Sequence, residues 1–159
     1  MSLKKYKAKR SFDKTPEPPP AGVRHPSTIR TGNILERGKL MFVVQKHHAR
    51  QLHYDFRLEK EGVLKSWAVP KGIPEDIGIK HLAVMTEDHP IEYGSFEGMI
   101  PEGNYGAGKV EIWDKGKYVL LEEKKNSLKF ELNGKLLKGK YVLFNFKDKN
   151  WFLFKMKNQ

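Results

Sequence analysis

The stretch Leu52-His53-Tyr54-Asp55-Phe56-Arg57-Leu58-Glu59, then Lys60-Glu61-Gly62, then Val63-Leu64-Lys65-Ser66-Trp67-Ala68-Val69 decides the fold. Its first part alternates apolar and polar side chains with a period of two, the spacing of a half-buried β-strand. Leu52, Tyr54, Phe56 and Leu58 therefore point together toward a core, and His53, Asp55 and Arg57 share the opposite face. Lys60-Glu61-Gly62 has turn chemistry, so the two apolar runs read as a hairpin.

The same pattern extends in both directions. Residues 40–45, 82–87, 110–113, 117–121, 128–132, 141–146 and 151–155 read as further strands. Asp114-Lys115-Gly116, Asn133-Gly134 and Asp148-Lys149-Asn150 read as the turns between them. Residues 75–78 suit a single helical turn, and residues 103–108 a tight glycine-rich loop. The expectation is a mostly β protein: one antiparallel β-barrel of about eight or nine strands, with little helix.

Residues 1–36 have a different composition. Lys4, Lys5, Lys7, Lys9 and Arg10 form a basic cluster, and Pro18-Pro19-Pro20 favours extended geometry. Large apolar residues are few there, so this segment reads as a basic, Pro-rich mobile arm that buries little and docks in part around residues 29–35. Residues 37–159 form the barrel domain.

The 159 residues hold 30 Lys+Arg against 19 Asp+Glu, a formal net charge of +11. That balance points to a polyanionic partner, nucleic acid before anionic membrane. With no cysteine, disulfides, zinc–thiolate sites and cysteine nucleophiles are excluded. No apolar run is long enough to span a bilayer, and the basic N-terminus lacks the apolar segment of a secretory signal. A cytoplasmic protein, monomeric and without membrane contact, is expected.

His53 and Asp55 lie two apart on one strand face, and His47 precedes a tight turn that folds it back beside them. Two imidazoles and a carboxylate suit manganese, iron or zinc with positions left for water and substrate. Arg57, Lys71, His81 and His89 are expected to gather into a cationic pocket for an anion with several oxygens. Glu87 is expected to orient a ligand histidine. Two other readings stand beside this one. His53, Asp55 and His89 also fit the triad of a non-haem iron oxygenase. A non-catalytic nucleic-acid-binding barrel is the other, although its stacking platform needs exposed aromatics, and here most aromatics alternate into the core.

His47, Leu52-His53-Tyr54-Asp55-Phe56-Arg57, Trp67-Ala68-Val69-Pro70-Lys71-Gly72, Glu87-Asp88-His89-Pro90, Tyr93, Phe96-Glu97-Gly98 and Ile100-Pro101 with Gly103 and Tyr105-Gly106-Ala107-Gly108 resemble a known module. It is the 3′-phosphoesterase module of prokaryotic DNA ligase D, a break-repair protein of non-homologous end joining. The resemblance runs from about Phe42 to the C-terminus. It implies a manganese-dependent hydrolase, with zinc or cobalt as alternative ions, held by His47, His53 and Asp55. It implies phosphate contacts from Arg57 and Lys71, phosphate contact and catalytic assistance from His89, and further active positions at Glu87 and Tyr93. His81 departs from the pattern, standing where many relatives carry arginine. The implied reaction removes a 3′-terminal ribonucleoside, then the remaining 3′-phosphate, to leave a 3′-OH. The implied substrates are DNA or RNA-tipped DNA 3′ ends in a primer-template. The polymerase and ligase modules are absent, so a stand-alone enzyme working beside a separate DNA ligase and polymerase is expected. No serine or threonine stands out as a nucleophile, which leaves water to attack.

Overall fold

Every strand of the barrel sends alternate side chains inward. The computed structural model describes residues 3–10, 12, 15–18 and 40–157. Its strands are β1 (Leu40–His48), β2 (Leu52–Lys60), β3 (Val63–Val69), β4 (Lys80–Met85), β5 (Gly98–Ile100), β6 (Gly108–Lys124), β7 (Ser127–Gly134), β8 (Lys138–Lys147) and β9 (Asn150–Lys155). They pair in the order β1-β2-β3-β4-β9-β8-β7-β6-β5, and β1 also pairs with β6. That last pairing closes eight antiparallel strands into a barrel, with β5 as one extra strand. Closure satisfies the edge amides that an open sheet leaves exposed. Phe42, Val44, Phe56, Leu58, Trp67, Val69, Phe130, Leu143 and Leu153 fill the interior, all almost wholly buried. Burying side chains of that size stabilises by roughly 1.5–3 kcal/mol each before entropy is counted.

The hairpin between β2 and β3 forms as the sequence requires. Lys60 pairs with Val63, and Glu61 and Gly62 between them adopt φ 55 and 84. Two residues at positive φ match the twist of the flanking strands. Leu52 differs from expectation in being 47% exposed at the mouth of β2.

Residues 110–113 and 117–121 are not two strands joined by a turn. They belong to the single strand β6, with Asp114 to Gly116 paired to β1 along the way. Aspartate and glycine serve other purposes here. The buried Asp114 carboxylate accepts from the amides of Lys135, Leu136 and Leu137 at 2.8, 3.2 and 2.8 Å. A Cβ on Gly116 would meet the Asn133 carbonyl oxygen at 2.2 Å, so glycine there permits backbone contact rather than a bend. Gly134 is likewise the last residue of β7, and the connection to β8 runs through 135–137. Residues 75–78 form no helical turn; Ile77 makes an isolated bridge to Lys155.

A second cluster covers the outer face of β1 to β3: Tyr6, Leu64, Tyr93, Phe96, Ile100 and Val110. Tyr93 comes from the 3-10 turn Ile91–Ser95. Tyr6 comes from a short helix α1 (Lys4–Ala8) and is 0% exposed. This differs from an arm that buries little, because Tyr6, Thr15 and Glu17 are all buried. The docking expected around residues 29–35 lies outside the described residues. Among the described residues, no helix is long and apolar enough to cross a membrane.

Candidate metal centre

Strand register builds the centre. In the β1–β2 pair His47 stands directly opposite His53, and Gln45 opposite Asp55. Opposed residues of an antiparallel pair share a face, here the face turned away from the barrel interior. One ligand atom each from His47, His53 and Asp55 falls within a mutual 4.8 Å. His47 Nδ1 lies 3.5 Å from Asp55 Oδ2, and His53 Nε2 lies 3.3 Å from Asp55 Oδ1.

The far nitrogen of each ring is tied to a carbonyl. His47 Nε2 donates to the Gly106 carbonyl at 2.7 Å, and His53 Nδ1 donates to the Gln51 carbonyl at 3.0 Å. A carbonyl can only accept, so those nitrogens carry a proton whatever the charge of the ring, and the other nitrogens face the carboxylate. This is the outer support that orients ligand histidines. Burial alone would raise the Asp55 carboxyl, but the Arg57 guanidinium and the two imidazoles hold it well below the usual range. Burial opposes charge on His53, yet its bond to Asp55 raises its pKa. The centre therefore favours a cation, and a divalent ion would displace protons on binding. Neutral imidazole and carboxylate donors fit manganese or zinc.

Arg57 continues the same face of β2. Its Nε donates to Gln45 Oε1 at 2.6 Å and its Nη1 to Ser66 Oγ at 2.9 Å, while Nη2 lies 3.6 Å from Asp55 Oδ2. Gln45 is itself fixed by the carbonyls of Tyr93 and Phe96 at 2.8 and 3.0 Å. Arg57 is thus a rigid cation, 3% exposed, with one nitrogen aimed at the centre.

His89 sits on the same pocket wall but outside the ligand cluster, so the oxygenase triad of His53, Asp55 and His89 is not assembled. Its Nδ1 donates to the Glu87 carbonyl at 2.9 Å, and its Nε2 accepts from Arg10 Nη2 at 3.3 Å. Burial, then the charges of Arg57 and Arg10, push its pKa well below the ordinary value. Glu87 does not support a ligand histidine as expected. Its carboxylate takes Lys9 Nζ at 2.9 Å and Arg10 Nη1 at 3.1 Å.

The N-terminal segment completes the wall. Glu17 Oε2 accepts from Arg10 Nε at 2.8 Å and from the Tyr93 hydroxyl at 2.6 Å. Burial, against the lowering charge of Arg57, raises the Tyr93 phenol. A cavity of about 310 Å³ is lined by the ligand cluster with Arg57, Glu87, His89, Tyr93, Arg10 and Glu17. Glu17 and Ser66 were not singled out by sequence reasoning, and Arg10, Gln45 and Gly106 were read there as cluster, strand and loop residues rather than as members of the site. The one signal that Arg10 and Glu17 dock was Tyr6 and Phe12, aromatics in an otherwise polar segment.

Two expected members do not line the cavity. Lys71 is exposed past the end of β3, where Gly72 turns the chain back with its amide on the Val69 carbonyl at 3.1 Å. His81 follows the alternation of β4, which sends Ala83 into the barrel interior, and its Nδ1 donates to the Gly72 carbonyl at 2.6 Å.

Residues 45–145 match the family described as the DNA Ligase D 3′-phosphoesterase domain. Over 99% of its length the chain is 45% identical to the multifunctional non-homologous end joining DNA repair protein LigD of Mycobacterium tuberculosis, covering 20% of that protein. It is 46% identical to the multifunctional non-homologous end joining protein LigD of Pseudomonas aeruginosa, over 98% of this chain and 19% of that one. The match to the Mycolicibacterium smegmatis LigD is 45%, over 99% and 21%. The chain thus spans about a fifth of the length of these relatives. A phosphoesterase is a hydrolase, and by these matches the chain belongs to the DNA ligase D 3′-phosphoesterase domain family.

Proposed function

We propose that this protein heals DNA 3′ ends in non-homologous end joining, as a metal-dependent phosphoesterase. It removes a 3′-terminal ribonucleoside as a phosphodiesterase and then the 3′-phosphate as a phosphomonoesterase, leaving a 3′-OH. The observation that carries this reading is the triangle of His47, His53 and Asp55, its protons held on backbone carbonyls, beside the fixed guanidinium of Arg57. The net charge of +11 supports a nucleic-acid substrate.

His47, His53 and Asp55 would hold the ion, manganese first. When bound, the ion supplies Lewis-acid chemistry at the phosphate. Arg57 meets a phosphate oxygen through Nη2, since its other nitrogens are committed; a cation held in advance costs no reorganisation as charge develops. His89 is a neutral phosphate neighbour whose Nε2 is reached when Arg10 gives way. Its proton lies on Nδ1, away from the pocket, so it is not poised as a general acid. Glu87 and Tyr93 position the Arg10 side chain and the pocket wall. Lys71 is an exposed cation outside the cavity lining, and its reading as a phosphate contact requires its side chain to reach over when substrate binds. His81 is left out, because its ring is held on the other side of its strand. The substrate is a 3′ end in a primer-template, handed on to ligase and polymerase activities.

The test is release of inorganic phosphate from a 3′-phosphorylated oligonucleotide, and of a nucleoside from one ending in a single ribonucleotide. Both should require added manganese and stop with chelator. Absence of both products with manganese, zinc and cobalt alike would end this reading.

A further inference from the structure

Two troughs adjoin the metal pocket, sharing different residues of its lining, and their charges differ. One shares Thr86 and Glu87 with the pocket and is lined by Lys5, Lys9 and Lys149. Lys9 is engaged with Glu87 at 2.9 Å. Lys149 stands in the β8–β9 turn, where its carbonyl accepts from the Met85 amide at 2.8 Å and keeps it against β4. The other trough shares Ala49, Ile100 and Gly106 with the pocket and encloses about 790 Å³. Its lining holds Arg50 and Glu102, whose formal charges sum to zero, His48 is tied to Glu111 at 2.9 Å, and Met99, 60% exposed, adds apolar surface.

We propose that these troughs divide the substrate by charge: the lysine trough takes the polyanionic strand, and the Met99 trough takes the terminal nucleoside that leaves. This rests on the function proposed above. A scissile 3′ diester joins two unlike halves, a strand with a charge at every phosphate and an uncharged nucleoside. Cations draw the first half. The second half needs apolar surface, peptide groups and room, and the Met99 trough lies in the size range of small-molecule sites. Hydrolysis then forms a bond from the water oxygen to phosphorus and breaks the bond to the nucleoside 5′ oxygen, which takes up a proton. The nucleoside departs along the Met99 trough while the strand, now ending in phosphate, stays for the second step.

The assignment predicts that the two steps separate. Met99→Trp fills the trough on an exposed strand position, and should slow nucleoside release about tenfold or more while 3′-phosphate removal changes by less than about twofold. The second activity also reports that the variant is folded. Met99→Ala, which cannot clash, should raise KM for the ribonucleoside-ended substrate alone. Lys5→Ala with Lys149→Ala should weaken binding of both substrates and lower the slope of log affinity against log salt by about two, one for each phosphate contact. Met99 variants that slow both steps equally, or neither, overturn the nucleoside half. An unchanged salt slope in the double lysine variant overturns the strand half. Wild-type protein inactive on both substrates is a different result, and it would fall on the proposed function instead.

Discussion

Replacing Arg57 by alanine removes a cation from a packed group and leaves its partners behind. Gln45 Oε1 and Ser66 Oγ lose their donors at 2.6 and 2.9 Å, and Asp55 Oδ2 loses a positive charge at 3.6 Å. At an effective dielectric of ~20, a unit pair at that separation is worth about 4 to 5 kcal/mol. Removing one member of a buried pair typically costs ~3–5 kcal/mol of stability. For a domain of this size that is a fall in Tm of roughly 6 to 20 °C. Activity should fall separately by about a hundredfold, the ~3 kcal/mol of one lost donor at a developing charge. Metal binding should move the other way. Asp55, relieved of the guanidinium, remains beside His47 and His53, so manganese at about a hundredfold excess over Kd should still add ~2.7 kcal/mol or more. Thermal unfolding with and without manganese, run beside phosphate release, reads all three effects. If Arg57→Ala loses the manganese-dependent rise in Tm that wild type shows, Arg57 belongs to the metal site and its assignment to phosphate is wrong.

His47→Ala, His53→Ala and Asp55→Ala should each abolish both hydrolytic steps and the manganese-dependent rise in Tm; near wild-type turnover in any of them at saturating manganese would remove that residue from the ligand set. Tyr6→Ala should free α1 from the barrel, since a fully buried tyrosine is lost, at a cost of roughly 3 kcal/mol to docking; amide exchange in residues 4–8 that stays slow would contradict this. Burial alone would raise the Glu87 carboxyl, but Lys9 and Arg10 hold it below its ordinary 4.5, so its contribution to docking is present above pH 4.5 and lost as pH falls through the folded value. Protection of the same amides, after dividing out the intrinsic base-catalysed exchange rate, should accordingly fall only in acid, and protection lost toward alkaline pH would reverse the sign. His81→Arg should leave the ratio of variant to wild-type rate flat from acid to alkaline pH, because the ring is bonded to Gly72 outside the pocket; a ratio climbing with pH would return His81 to the phosphate.

What could be read in advance was whatever depends on alternation. His53, Asp55 and Arg57 on one face, Phe56 and Leu58 on the other, follow from a period of two, and the Lys60-Glu61-Gly62 turn fixed which strand lies beside them. His47 could be placed because a short connection must bring it back toward His53. Turn residues were less secure guides, since aspartate and glycine also serve inside a sheet. Asp114 anchors three amides and Gly116 lets two backbones touch, neither of which leaves a periodic signature. His81 was misplaced by extending one alternation past Met85, where β4 ends and the chain leaves the sheet. The contacts of Arg10 with Glu87 and of Glu17 with Tyr93 span 77 and 76 residues of chain, and no local pattern reports a partner so distant.

The hairpin that carries His47 and His53 is held from outside as well as within. β1 pairs with β6 along its length, with His47 against Val110, and β2 pairs with β3, with Asp55 against Ala68. The register of the metal triangle is therefore secured by neighbours on both flanks, independently of the connection Ala49-Arg50-Gln51. That connection is also where Ala49 and Arg50 enter the Met99 trough. On the proposed assignment of the Met99 trough, the β1–β2 connection can accordingly be lengthened or rewritten to change which end group is accepted, while the register of His47, His53 and Asp55 stays fixed.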